Sequence, residues 1–131
     1  MTERPLSPHL GVYRMWRYSL LSSIVNRATG LVLSAGLILL VYWLVAIASG
    51  PAAYRAAHAV LSLGVLKAVY VILLATFSYH LFAGIRHLIW DTGHGLERAQ
   101  SQRSAALVAI VSILFFLGLV WWALHAGGRT P

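Results

Sequence analysis

Three apolar stretches, at about 21–48, 64–90 and 105–124, decide what this chain can fold into. Each is long enough, at about 1.5 Å rise per residue, to cross about 30 Å of hydrocarbon as a tilted helix. Lipid offers no partner for a backbone N–H or C=O, so a crossing segment must close its own hydrogen bonds, as a helix does. Sixty per cent of the 131 residues are hydrophobic and only 10% are charged, a balance that a water-facing surface does not tolerate. The reading is an all-α integral membrane protein with three transmembrane helices. Its transmembrane domain covers 21–126, between an N-terminal segment, 1–20, and a C-terminal tail, 127–131.

The punctuation between the spans agrees with this. Ala46-Ile47-Ala48 has the look of a signal-cleavage site, but the preceding apolar stretch is too long and carries Arg27, so it reads as a retained helix. Gly50 and Pro51 stop it. Ala52 to Ser62, with Arg55 and His58, reads as an interfacial helical turn, and Lys67 can snorkel outward from the start of the second span. Asp91 to Ser104 reads as a polar loop, and Trp121 and Trp122 mark the far interface of the third span. Before the first span, Arg4-Pro5-Leu6-Ser7-Pro8-His9 is extended by its prolines. The cluster Tyr13-Arg14-Met15-Trp16-Arg17-Tyr18 suits either a membrane interface or a solvated tail with anchors.

Charge sets an orientation. Arg4, Arg14, Arg17 and Arg27 precede or enter the first span, and Arg86, Arg98 and Arg103 flank the second loop; Arg55, Lys67 and Arg129 belong to the other side. By the positive-inside rule the N-terminus and the 91–104 loop are expected in the cytoplasm. The net charge of +7 does not make this a nucleic-acid binder, because the basic residues are spread along the chain without a patch or recognition motif. The absence of cysteine excludes disulfides and cysteine-bound iron–sulfur clusters, so a redox centre held here must use histidine or a bound small molecule.

Chemistry enters at Ser78-Tyr79-His80-Leu81-Phe82-Ala83-Gly84-Ile85-Arg86-His87-Leu88-Ile89-Trp90-Asp91, which follows an apolar run broken only by Lys67. An ionisable group at that depth is costly and points to function. His80, Gly84, His87 and Asp91 are spaced i, i+4, i+7 and i+11 and share one helix face. Neutral imidazole can bind iron, and Gly84, one turn away, leaves room for a flat macrocycle. The spacing reads as a haem-bearing helix; a buried histidine bonded to a neighbouring helix is the alternative. Span one carries a second polar or small-residue face, Ser23, Arg27, Gly30 and Ser34, at the same spacing. Arg27 lies about 15 Å along a helix from Arg17, and His80 about 16 Å from Asp91, so the two are expected at similar depth. Arg27 then either meets a haem propionate or quinone or snorkels to headgroups, and Ser23 either bonds a quinone carbonyl or its own helix backbone.

The pattern His-x3-Gly-Ile-Arg-His-Leu-x-Trp-Asp-x-Gly, from His80 to Gly93, closely resembles the cytochrome b membrane-anchor subunit of succinate dehydrogenase, complex II. In that family the first histidine of the motif, here His80, is an axial ligand of haem b. The resemblance extends to Ser23-Ile24-Val25-Asn26-Arg27-Ala28-Thr29-Gly30, which is similar to the family's Ser-x-x-His-Arg-x-Ser/Thr motif. There the serine and arginine help form the ubiquinone site, which implies those roles for Ser23 and Arg27. Asn26 stands where the family usually has histidine, and an amide can neither take up a proton nor carry positive charge. The Arg-Pro-Leu segment beginning at Arg4 precedes the first span in the family and lies against the iron–sulfur subunit.

The resemblance implies a haem b- and ubiquinone-binding anchor, with succinate oxidised by a flavoprotein subunit and electrons arriving through an iron–sulfur subunit. This chain carries no dinucleotide-binding glycine motif or cluster cysteines, so it cannot oxidise succinate alone. His80 is expected to supply one haem ligand, to iron as the metal, and a second membrane-anchor subunit the other. His87 sits about 10 Å further along the same helix, and one rigid helix cannot approach an iron from both faces. His9, His94, His58 and His125 belong to the two surfaces, and Met1 and Met15 precede span one. A haem-free structural anchor is the rival reading. A small transporter subunit is a further one, without the broken spans or internal repeat of such folds.

A motif beginning at Arg4 leaves no room for a transit peptide, so the expected location is a bacterial cytoplasmic membrane with the N-terminus inside. Protease added to the outer face of sealed vesicles is expected to spare Arg14 and Arg98. Cleavage at either would reverse the topology.

Overall fold

A computed structural model describes residues 19–126; the expected interfacial segment 2–18 and the tail 127–131 lie outside the described residues. The chain forms four helices: α1 Ser19–Ala48, α2 Pro51–Leu61, α3 Gly64–Asp91 and α4 Arg98–Ala126. Three of them, α1, α3 and α4, are long and apolar enough to cross a membrane. No strand occurs among the described residues. At 28 residues, α3 is about 42 Å long, more than the hydrocarbon thickness, so it tilts or emerges.

Helix α3 is the middle of the assembly: it packs against α4 on one side and α1 on the other, while α1 and α4 barely touch. Apart from Arg86, the buried positions are small. Ala46, Ala57, Ala83, Val108, Ser78 and Ser112 fill the seams, and small side chains let helix backbones approach where lipid removes the hydrophobic drive. At Gly36 the approach is closest, since a Cβ there would lie 2.5 Å from Cδ2 of Leu73. Ser78 and Ser112 donate to the carbonyls of Leu74 and Val108, at 2.8 and 2.6 Å, so neither hydroxyl is left unpaired in the seam. Phe82 and Phe115 meet edge to face, with centroids 5.4 Å apart, across α3 and α4. Large side chains such as Leu31, Ile38, Leu114 and Leu124 point outward, as expected where the solvent is lipid.

The connections differ in detail from the sequence reading. The segment expected as a turn after the first span is an eleven-residue helix, α2, because Pro51 at its first turn costs no hydrogen bond and fixes a helical φ. Gly50, at φ 99°, makes the bend that other residues rarely adopt. Tyr70 ties the end of α2 to α3 by donating to the carbonyl of Leu61 at 3.0 Å. The loop expected over 91–104 is shorter, since α4 already begins at Arg98. Gly93 and Gly95 turn the chain at φ 83° and 77°, and Trp90 Nε1 clamps the turn by donating to the Gly95 carbonyl at 3.1 Å.

Candidate functional site

The seam between α1 and α3 places His80 against the turn of α1 that follows Arg27. The ring lies edge-on to Gly30, where a Cβ would stand 3.2 Å from Cε1, so only a glycine lets the imidazole settle there without displacement. Nδ1 of His80 is 3.0 Å from Oγ1 of Thr29, and that hydroxyl also donates to the Asn26 carbonyl at 2.9 Å. Nε2 makes no hydrogen bond among the described residues. His80 is half-buried and forms one end of an open groove of about 690 Å³ with Gly30, Leu33, Ser34, Leu74 and Phe77 among its walls. Gly84, one turn along α3, looks onto open space: a Cβ added there would meet nothing within 4 Å. The donor set and the space fit a planar iron macrocycle approached from one side by a neutral imidazole.

The second predicted pair lies one turn away on α1. Arg27 is exposed and Ser23 is half-buried, and neither lines the groove at His80. Neither side chain makes a hydrogen bond among the described residues. From the predicted polar face, Gly30 and Ser34 reach the groove, and Ser34 donates back to the Gly30 carbonyl at 2.9 Å. Asn26 presents an anomaly: its Oδ1 is buried with no hydrogen-bond partner. A buried acceptor without a donor calls for an outside group to supply one. Three polar side chains on adjacent turns, Ser23, Asn26 and Arg27, are thus left with capacity to bind.

His87 is engaged differently. Its Nδ1 donates to the Ala83 carbonyl at 2.7 Å, and its ring packs edge-on to Trp90 with centroids 5.1 Å apart. No group of three or more metal-ligating side chains occurs among the described residues.

Two residues were not singled out as site residues by sequence reasoning. Thr29 sat inside the quoted motif without a role of its own. Arg86 was counted with the charges flanking the loop; in the structure it is only 5% exposed. Its Nε donates to Ser104 Oγ at 2.9 Å, one terminal nitrogen to Ser22 Oγ at 3.3 Å, and the other to the Ser101 carbonyl and hydroxyl at 2.9 and 3.2 Å. The guanidinium also lies 3.9 Å from the centroid of the Trp90 ring. One side chain therefore ties α3 to both α1 and α4 through neutral partners. The signal was available: Trp90 is one turn from Arg86, and Ser101 and Ser104 share a face at i and i+3.

Known proteins resemble this chain over most of its length. The family described as succinate dehydrogenase/fumarate reductase transmembrane subunit matches residues 1–120. The succinate dehydrogenase cytochrome b556 subunit of Paracoccus denitrificans is 41% identical over 119 residues, covering 90% of this chain and 91% of that protein. The mitochondrial succinate dehydrogenase cytochrome b560 subunit of Homo sapiens is 34% identical over 120 residues, covering 90% of this chain and 70% of that protein. The cytochrome b556 subunit of Rickettsia felis is 33% identical over 119 residues, covering 91% of each chain.

The Arg86 cluster predicts a stability effect separate from chemistry. A lysine keeps the charge but cannot direct donors at three serines from a planar fork. Hydrogen bonds to charged groups contribute about 1.5–3 kcal/mol each, so Arg86→Lys is expected to lower the thermal midpoint of the detergent-purified protein by several degrees, and Ser104→Ala by less. An Arg86→Lys variant as stable as the parent would contradict the clamp.

Proposed function

The chain belongs to the family of succinate dehydrogenase/fumarate reductase transmembrane subunits, and from that premise we propose that it binds haem b and ubiquinone as a membrane anchor of a bacterial complex II. The observation that carries this reading is the position of His80: an intramembrane imidazole, held at Nδ1, with Nε2 unbonded at the end of an apolar groove beside the open face of Gly84. His80 would hold the haem iron through Nε2, and the second ligand would come from another anchor subunit, because no other histidine among the described residues lies at that depth. Bound there, the haem supplies a one-electron relay between the iron–sulfur subunit and the quinone.

The protein's own contribution to quinone reduction is orientation and charge. Ser23 Oγ–H donates to one quinone carbonyl, and the Arg27 guanidinium favours the negative charge that develops on oxygen as electrons arrive. The unpartnered Oδ1 of Asn26 accepts a hydrogen bond from a partner chain or bound group at the same place. Asn26 holds no exchangeable charge, so it does not deliver a proton; the two protons of quinol formation enter from the cytoplasmic side. Succinate oxidation takes place in the flavoprotein subunit, and the iron–sulfur subunit docks on the cytoplasmic face. The bond from His80 to Thr29 is also what a packing histidine would make, so a haem-free anchor is the competing reading.

Spectra of variants separate the two. His80→Ala is expected to lose or alter the low-spin haem spectrum of the complex, and His87→Ala to leave it largely intact; an unchanged His80→Ala spectrum would sink the ligand assignment. At the quinone site, Ser23→Ala and Arg27→Leu are expected to cut quinone reduction by about tenfold or more, the loss of one or two transition-state hydrogen bonds. Succinate oxidation with an artificial acceptor should stay near normal. Parallel loss of both activities would mean failed assembly instead.

A further inference from the structure

Resting on the assignment of His80 as an iron ligand, we propose that Thr29 is a positioning residue that fixes the tautomer and orientation of His80 and thereby lowers the haem midpoint potential. Iron takes the lone pair of Nε2, so the imidazole proton must sit on Nδ1 and needs an acceptor. The side-chain partner of Nδ1 among the described residues is Thr29 Oγ1, 3.0 Å away. A hydroxyl carries one proton, and that proton already has an outlet, the Asn26 carbonyl at 2.9 Å. The result is an ordered chain: His80 Nδ1–H to Thr29 Oγ1–H to the Asn26 carbonyl.

The opposite arrangement is worse placed. If Thr29 donated to Nδ1, the ring proton would move to Nε2, which has no hydrogen-bond partner among the described residues in a groove walled largely by residues such as Leu33, Leu74 and Phe77. A donor left without a partner there loses free energy for nothing. Gly30 completes the setting, because its missing Cβ lets the ring edge approach α1 closely enough for the Thr29 contact. Thus α1 orients a ligand carried by α3.

An acceptor on the far nitrogen makes a metal-bound imidazole more basic, and such outer partners are worth about 10–100-fold in metal affinity. A more basic ligand favours ferric over ferrous iron. Removing the acceptor is therefore expected to raise the midpoint. A tenfold change in the ferric-to-ferrous preference corresponds to about 59 mV for a one-electron couple.

The test is redox potentiometry of the haem band in the purified complex carrying Thr29→Val or Thr29→Ser. Succinate oxidation by an artificial acceptor is measured alongside as the check on assembly. Valine keeps the shape and loses the hydroxyl; serine keeps the hydroxyl. Thr29→Val is expected to shift the midpoint upward by the equivalent of about tenfold or to lose the haem, and Thr29→Ser to retain both haem and midpoint. A parental midpoint in Thr29→Val overturns the proposal while leaving His80 as ligand. A Thr29→Ser variant as altered as Thr29→Val overturns it too, by showing that the methyl group and not the hydroxyl matters. A parental complex without haem bands would instead remove the ligand assignment, and this proposal with it.

Discussion

Hydrocarbon supplies no hydrogen-bond partner, and this one constraint sorts the polar side chains of the bundle into two groups. The first group finds partners within the chain. Arg86 is enclosed by Ser22, Ser101, Ser104 and the Trp90 ring, and Ser78 and Ser112 bond back to their own helices. The Arg86 contacts tie α1, α3 and α4 together where apolar burial contributes little, while the two serine bonds only satisfy hydroxyls inside the seams. The second group is left over. The Ser23 hydroxyl, the Asn26 Oδ1, the Arg27 guanidinium and His80 Nε2 have no partner among the described residues, and all four belong to the α1–α3 seam or the turn of α1 beside it. Structure accounts for the satisfied groups, and the proposed chemistry uses the unsatisfied ones.

The same logic separates two arginines of one charge. Arg86 has no acid partner among the described residues, but four hydrogen bonds and the Trp90 ring surround its guanidinium, so it acts as a strut. Arg27 is exposed on a transmembrane helix without an acceptor among the described residues, so its field remains available to a ligand or partner chain. Ser22 and Ser23 make the division sharper still: adjacent residues of α1, one bonds the Arg86 clamp and the other does not. The clamp thus engages α1 at Ser22, one residue before Ser23. A bundle of three spans with large apolar side chains directed outward leaves an extensive apolar surface facing lipid.

The spans were legible because their length and lack of charge leave only one structural solution. His80 stood out in the sequence because an intramembrane imidazole followed by Gly84 one turn later is rare, and the structure sets it at the α1–α3 groove. Arg86 was misplaced because its position near the end of the span allows a snorkelling arginine, and only tertiary structure reveals that Ser101 and Ser104 of α4 reach back to enclose it. For the same reason the polar segment from Arg98 onward read as loop: its serines and glutamines lack apolar periodicity, yet they form a helical turn whose serines face Arg86. Helix α2 is short and carries charge, so composition alone did not separate it from a turn. Thr29 could not be assigned from spacing, since its partner is 51 positions away in the chain.

The central claim is that the α1–α3 seam holds a haem through His80. A dithionite-reduced-minus-oxidised absorption spectrum of the intact complex, purified with its partner subunits, tests it most directly. The account predicts b-type bands of a low-spin haem in stoichiometric amount. A fully assembled, succinate-oxidising complex without such bands would contradict it and leave His80 as a packing residue.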